Sequence, residues 1–216
     1  MNKEKKIIGI FVIIAVTLVA GFIILFQFSS PKIYGNKGGS SGEVSRYVSR
    51  DIPMTDSNGS TRRLMDLKGK VWLISHVFTR CPGQCAGVCV VLDEIRKDVN
   101  DKENLQFVSV TLDPNHDTPD HLKAFSSKHG FVTDDWWFLT GESSELNRYM
   151  MEVFSLSAQE KKESEKVSED DIFAHKPMVA LINHELKIEG WYNPFDKRSS
   201  EALREKLLFA LNEAKS

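Results

Sequence analysis

Residues 71–85 read VWLISHVFTRCPGQC. From Val71 to Phe78 the run is apolar except for Ser75 and His76, it is rich in β-branched residues, and Lys68-Gly69-Lys70 punctuates its start, so it reads as a buried strand ending near Phe78. Cys81 and Cys85 follow at once. From Cys81 to Asn100 the apolar residues Val88, Val91, Leu92 and Ile95 fall on one helical face. A buried strand that passes through a cysteine-bearing turn into a helix is the opening of an α/β domain.

The pattern continues outward from this stretch. Upstream, Ile52-Pro53-Met54, the turn signal Ser57-Asn58-Gly59 and Arg62-Arg63-Leu64 read as a short hairpin, and the domain begins near Arg46. Downstream, Leu105–Leu112 alternates and predicts the next strand. Thr118 is the expected N-cap of a helix with Pro119 at its first position and Gly130 at its end. Trp136–Leu139 predicts a strand, Ser143–Phe154 a helix, Met178–Ile182 and Leu186–Tyr192 a hairpin, and Ser200–Ala214 a closing amphipathic helix. Alternating strands and helices followed by a hairpin and a helix are the order of a thioredoxin-like α/β domain over residues 46–216. Between Leu156 and Ile172 the segment LSAQEKKESEKVSEDDI is crowded with charge. It predicts a long, mobile loop or helix extension that ends three residues before His175.

Cysteines 81, 85 and 89 lie within nine residues. A thiol at a helix N-terminus is favoured as thiolate, hence as a nucleophile or soft metal ligand, and Cys81 is expected there. Gly83 permits a tight loop between Cys81 and Cys85, so both sulfurs can face one point or bond to each other. Three intervening residues set the pair apart from the C-x-x-C of a dithiol oxidoreductase. Cys89, beside Val88, Val90 and Val91, reads as a core thiol, with a third ligand or a resolving thiol as the alternative. Two thiolates with an imidazole suit copper or zinc. Of the six histidines, His121 and His129 fall on a helix surface, His184 in a hairpin turn and His76 inside the first strand. His175, just before a core strand, can meet the C-terminal end of the first strand, where Cys81 is. Asp113 and Asp117 end the second main strand, where they cap turns or, for Asp113, stand near the site.

The chain has 216 residues, enough for one domain with an apolar core, and a net charge of −2 that offers no footprint for nucleic acid. Its cysteines are too few for a disulfide-stapled mini-domain. One segment is extreme: Ile7 to Phe26 is apolar throughout except for Thr17, long enough to cross a bilayer as a helix. Lys3, Lys5 and Lys6 precede it. The reading is therefore a cytoplasmic tail at 1–6, a single-pass anchor at 7–28, a Gly- and Ser-rich flexible tether at 29–45, and an extracytoplasmic domain, in a periplasm or its equivalent. Without residues 1–29 the chain keeps 25 basic and 29 acidic side chains, a mildly acidic surface with no polybasic lipid-binding patch.

Taken in order, these segments resemble the SCO/SenC family, membrane-anchored copper proteins of thioredoxin fold that help assemble cytochrome c oxidase. The likeness covers residues 46–214. It rests on FTRCPGQC (78–85), VTLDPNHDTPDHLKAF (110–125), WWFLTG (136–141), HKPMVALIN (175–183) and EGWYNPFD (189–196). The resemblance implies that Cys81, Cys85 and His175 bind copper, as Cu(I) or Cu(II), that Asp113 is a nearby acid, and that Cys81 and Cys85 can instead form a disulfide. It also implies a copper acceptor such as cytochrome c oxidase subunit II as partner. The chain departs from the family pattern at Ala86, Ala174 and Lys176, and Pro177 stands near the place of the thioredoxin cis-proline. The alternative function is a thiol–disulfide reductase, with Cys81 attacking and Cys85 resolving. A peroxidase is disfavoured because the chain lacks the proline that peroxiredoxins need upstream of the cysteine.

Overall fold

The computed structural model describes residues 47–81, 84–166, 168–170 and 172–215. In chain order its elements are β1 (Met54–Asp56), β2 (Thr61–Arg62), β3 (Val71–Val77), α1 (Gln84–Asp98), β4 (Leu105–Thr111), α2 (Pro119–His129), β5 (Trp136–Thr140) and α3 (Ser143–Phe154). They continue with β6 (Ala158–Glu160), β7 (Phe173–His175), β8 (Val179–Ile182), β9 (Ile188–Tyr192) and α4 (Lys197–Glu213). The expected anchor 7–28 and tether 29–45 lie outside the described residues. Among those that are described, no helix is long and apolar enough to cross a membrane.

The main sheet has the order β2-β1-β5-β4-β3-β8-β9, and β6 and β7 pair separately as a ribbon. β3 runs parallel to β4, and β4 to β5, while β8 joins β3 antiparallel. Every residue of β3 and β4 is buried, as their Val- and Leu-rich sequences require of strands covered on both faces. The two crossovers β3-α1-β4 and β4-α2-β5 step the same way across the sheet, and right-handed connections then put both helices on one face. There Val88, Leu92 and Ile95 of α1, Leu122 of α2 and Leu203, Leu207 and Leu211 of α4 pack on Val71, Leu73 and Val77. On the other face Leu146, Met150 and Phe154 of α3 cover Trp72 and Ile74.

Most predicted elements form where expected, with shifted ends that have local causes. Thr118 caps α2 by accepting from the His121 N–H, and Gly130 ends it in the left-handed region at φ +75°. Asp196 accepts from the Ser199 N–H at 2.8 Å, so α4 begins at Lys197 rather than Ser200. Leu186 sits at φ +68° in the turn, which delays β9 to Ile188. The charge-rich segment after Leu156 differs in kind. Its ends pair as β6 and β7, with Ala158 opposite His175 and Glu160 opposite Phe173, and Lys161 N–H reaches the Ile172 carbonyl at 2.8 Å. Residues 162–165 and 168–170 in its polar middle are exposed.

The C-terminal ends of β3 and β4 are joined by a buried carboxylate. Asp117 is fully buried and accepts from the Thr79 N–H at 3.2 Å, the Thr79 hydroxyl, the Thr111 hydroxyl at 2.6 Å and His116 Nδ1–H at 2.9 Å. The sequence suggests a turn cap. The structure makes it the tie between the turn after β3 and the end of β4. An amide in its place meets those donors with one oxygen and presents an N–H₂ to the others. Asp117→Asn is expected to cost about 2–3 kcal/mol in urea unfolding, whereas an unchanged midpoint would show that the tie is not structural.

His76, on β3, is 6% exposed and its Nε2–H donates to the Leu156 carbonyl at 3.2 Å. Burial, helped by the nearby His175, holds its pKa down to about 4 from the ordinary 6.5. The unfolded chain therefore takes up this proton first, so the stabilisation is complete above pH 6.5 and is lost as the pH falls to about 4. The loss amounts to roughly 3 kcal/mol at most. Residues 44–216 form a unit of their own. In urea titrations of that unit at about pH 7 and about pH 4.5, His76→Gln should lose less stability on acidification than the parent. Equal losses would exclude His76 as the source.

Candidate metal centre and thiol site

The thiol turn is built on the Asp117 tie. With Thr79 held, the chain closes a turn in which the Cys81 N–H donates to the Phe78 carbonyl at 3.0 Å. α1 begins at Gln84, so the first helical turn carries Cys85, not Cys81. This corrects the expectation for Cys81, which stands in the turn before the helix. All three cysteines are free thiols. Cys81 is half-buried, and Cys85 is fully buried behind it with Phe78 and Leu112. A hydrogen bond with Cys81 raises the Cys85 pKa, and burial raises it further. Cys85 keeps its proton at neutral pH, and Cys81 is the sulfur that solvent reaches.

Cys89 packs in the core with Val88 and Leu92. Burial pushes its pKa up to about 12 although it bonds the Ser109 hydroxyl, which also accepts from Trp136 Nε1–H at 3.0 Å. These are the surroundings of a core thiol, the first of the two readings its sequence position left open.

His175 arrives on the ribbon. Phe173 meets the Phe78 ring edge-on with centroids 5.3 Å apart, and Ala158, Ile172 and Phe173 pack on Phe78, Cys85 and Leu112. Such an aromatic pair contributes about 0.5–1.5 kcal/mol beyond its buried area. The apolar ends of an otherwise charged segment thus seat it over the thiol turn. The consequence is a contact across ninety residues of chain: Cys85 Sγ lies 3.4 Å from His175 Nε2. His175 Nδ1–H donates a long bond of 3.4 Å to the Lys176 carbonyl, which leaves the Nε2 lone pair for a thiol proton or a metal. His76 stands behind, its ring centroid 6.5 Å from that of His175.

Among the described residues, no group of three or more His, Cys, Asp or Glu side chains stands together in ligating geometry. Cys85 and His175 supply two donors of a soft N,S set, and Cys81, hydrogen-bonded to Cys85, is the candidate for the third. Asp113 is near but is not a free acid. Its carboxylate takes Arg80 Nη2–H at 2.6 Å, and the same guanidinium lies 3.8 Å from Asp170 on the ribbon side. Arg80 and Thr79 are site residues that motif reading passed over, and their adjacency to Cys81 was the available signal. The remaining histidines stay outside: His116 and His121 stack at 4.5 Å, and His129 packs on Phe125. No cis peptide occurs among the described residues, so Pro177 differs from the thioredoxin proline in being trans.

The SCO1/SenC family model matches residues 44–210. A Bacillus subtilis (strain 168) protein described as an SCO1 protein homolog is 26% identical over 149 residues, 68% of this chain and 74% of its own length. The structure of BsSco, a member of the Sco family of cytochrome c oxidase assembly proteins in which a disulfide switch was identified, superposes with a TM-score of 0.64. It is 24% identical and is matched over 76% of this chain and 93% of its own. The copper-bound ScoI of Bradyrhizobium japonicum superposes with a TM-score of 0.62 at 22% identity, over 74% of this chain and 98% of its own. These structural likenesses carry the fold, and the family match covers most of the chain. With its thioredoxin-like sheet and the thiol turn at the end of β3, the chain belongs to the SCO1/SenC family.

Proposed function

We propose that this chain is a membrane-anchored, extracytoplasmic copper carrier that holds copper on Cys81, Cys85 and His175 and yields it to a copper acceptor, with cytochrome c oxidase subunit II as the expected recipient. The observation that carries this reading is the 3.4 Å approach of Cys85 Sγ to His175 Nε2. Two thiols and an imidazole match the preferences of Cu(I), and of Cu(II) with adjustment. The family membership and the copper-bound relative support the choice of metal, and the apolar run Ile7–Phe26 supports the anchor. A three-ligand site leaves room for an incoming sulfur or nitrogen. Cys81, the accessible sulfur, is the ligand an acceptor meets first, and Cys85 is the one that lets go last.

Anaerobic copper titration of the reduced unit 44–216, followed by desalting, tests the reading. One retained copper with an intense thiolate-to-Cu(II) band is expected. Cys81→Ser should lose the band, and His175→Ala should weaken Cu(II) retention by about 100-fold or more while leaving the dithiol oxidisable. No copper on an intact, reduced domain would contradict the proposal. Unchanged affinity in His175→Ala would remove the imidazole from the site.

The unequal burial of the two thiols favours one second reading, a thiol–disulfide reductase. Cys81 thiolate would attack a partner disulfide, forming a mixed disulfide and releasing one partner thiol. Cys85, giving up its proton, would then attack Cys81 sulfur, closing the Cys81–Cys85 disulfide and releasing the second partner thiol, so that two electrons pass to the partner. In alkylation at neutral pH mapped by mass spectrometry, this reading expects Cys81 to react roughly tenfold faster than a free thiol and Cys85 and Cys89 to lag. A Cys81 rate no faster than that of a free thiol would end it.

A further inference from the structure

We propose that Arg80 is a positioning residue that fastens the β6–β7 ribbon, and with it His175, to the thiol turn, so that its ion pairs set how readily the site opens. The consequence for metal release rests on the copper reading above, but the fastening itself does not.

Arg80 lies between Thr79, fixed by Asp117, and Cys81. Its Nη2 is anchored on Asp113 at 2.6 Å, which points the guanidinium along the C-terminal edge of the sheet. The other end, Nη1, comes within 3.8 Å of Asp170 in the far part of the charge-rich segment. The guanidinium carbon also stands 5.7 Å from the centroid of the Phe78 ring, the ring that receives Phe173 edge-on. A single side chain therefore touches two of the links between the thiol turn and the ribbon, one ionic and one aromatic.

The ribbon depends on such contacts. β6 and β7 are three residues each, and an isolated two-stranded ribbon of that length is not stable in water. The links are individually weak. Asp170 is 58% exposed, so its pair with Arg80 is screened by salt and behaves as a catch, not a lock. When the catch opens, His175 leaves with the ribbon and the two sulfurs remain. For a protein that must hold a metal ion and then give it up, the residue beside the outer thiol is thereby linked to an imidazole far along the chain.

Hydrogen exchange of the full chain, reduced and metal-free in detergent micelles, tests this. Arg80→Met and Asp170→Asn should speed exchange of the ribbon amides, 158–161 and 172–175, by roughly fivefold, while those of α1 and β4 keep their rates. Added salt should speed the same amides in the parent but not in Arg80→Met, and Arg80→Lys should restore part of the protection. Unchanged ribbon exchange in Arg80→Met, or an increase shared equally by α1 and β4, would overturn the proposal. With copper loaded, release to a chelator should quicken in the same order of variants. A chain that holds no copper yet shows the predicted exchange would refute the copper reading and support the fastening. Parental release from an Arg80→Met protein whose ribbon is loosened would overturn the link to release.

Discussion

One buried carboxylate receives donors from three parts of the chain. Asp117 accepts from Thr79 in the turn after β3, from Thr111 at the end of β4 and from His116 in the following loop. Parallel strands joined by crossovers leave their C-terminal ends open, and something polar must satisfy the groups exposed there. Here that requirement is met by a single charged side chain excluded from solvent. Since the tie includes the Thr79 backbone, it fixes the direction in which the chain leaves β3. The turn at Phe78–Cys81 and the start of α1 follow from it, and so does the level at which the thiols sit against the sheet.

The second constraint is the seating of the ribbon. Its strands are too short to stand alone, and its middle is charged and exposed, so the apolar contacts of Ala158, Ile172 and Phe173 with Phe78, Cys85 and Leu112 decide where it rests. That resting place puts an imidazole against a protonated, buried thiol. Cys81 remains outside, half-buried and hydrogen-bonded to its partner. In the proposed function, copper chemistry and dithiol chemistry draw on the same two sulfurs, and oxidation of the pair to a disulfide would remove both from metal binding. Under that proposal His175 distinguishes the two uses, because only metal binding needs it.

Much of this was legible in the sequence. The largely apolar β3, alternating β4 and the Thr118-Pro119 start of α2 are local patterns, and local patterns form as written. Cys81 and Cys85 announced themselves by their place after a buried strand, and His175 by its place before another. The start of α1 is not legible, because the apolar period begins at Val88, which does not say which earlier residue closes the first turn. The ribbon is not legible in the sequence, since 158–160 and 173–175 are only three residues each and carry no period of their own. From the sequence Asp117 reads as a cap and Asp113 as a turn cap or an acid near the site. Their partners, Thr79 and Arg80, lie more than thirty residues away, and only the fold brings them together.

The most direct test of the account is the ligand set itself, read by copper K-edge X-ray absorption on the full chain loaded with one copper. The account predicts two sulfur scatterers and one imidazole, with the imidazole's outer-shell scattering lost in His175→Ala. A copper bound by sulfur alone, or an imidazole signal that survives that substitution, would contradict it.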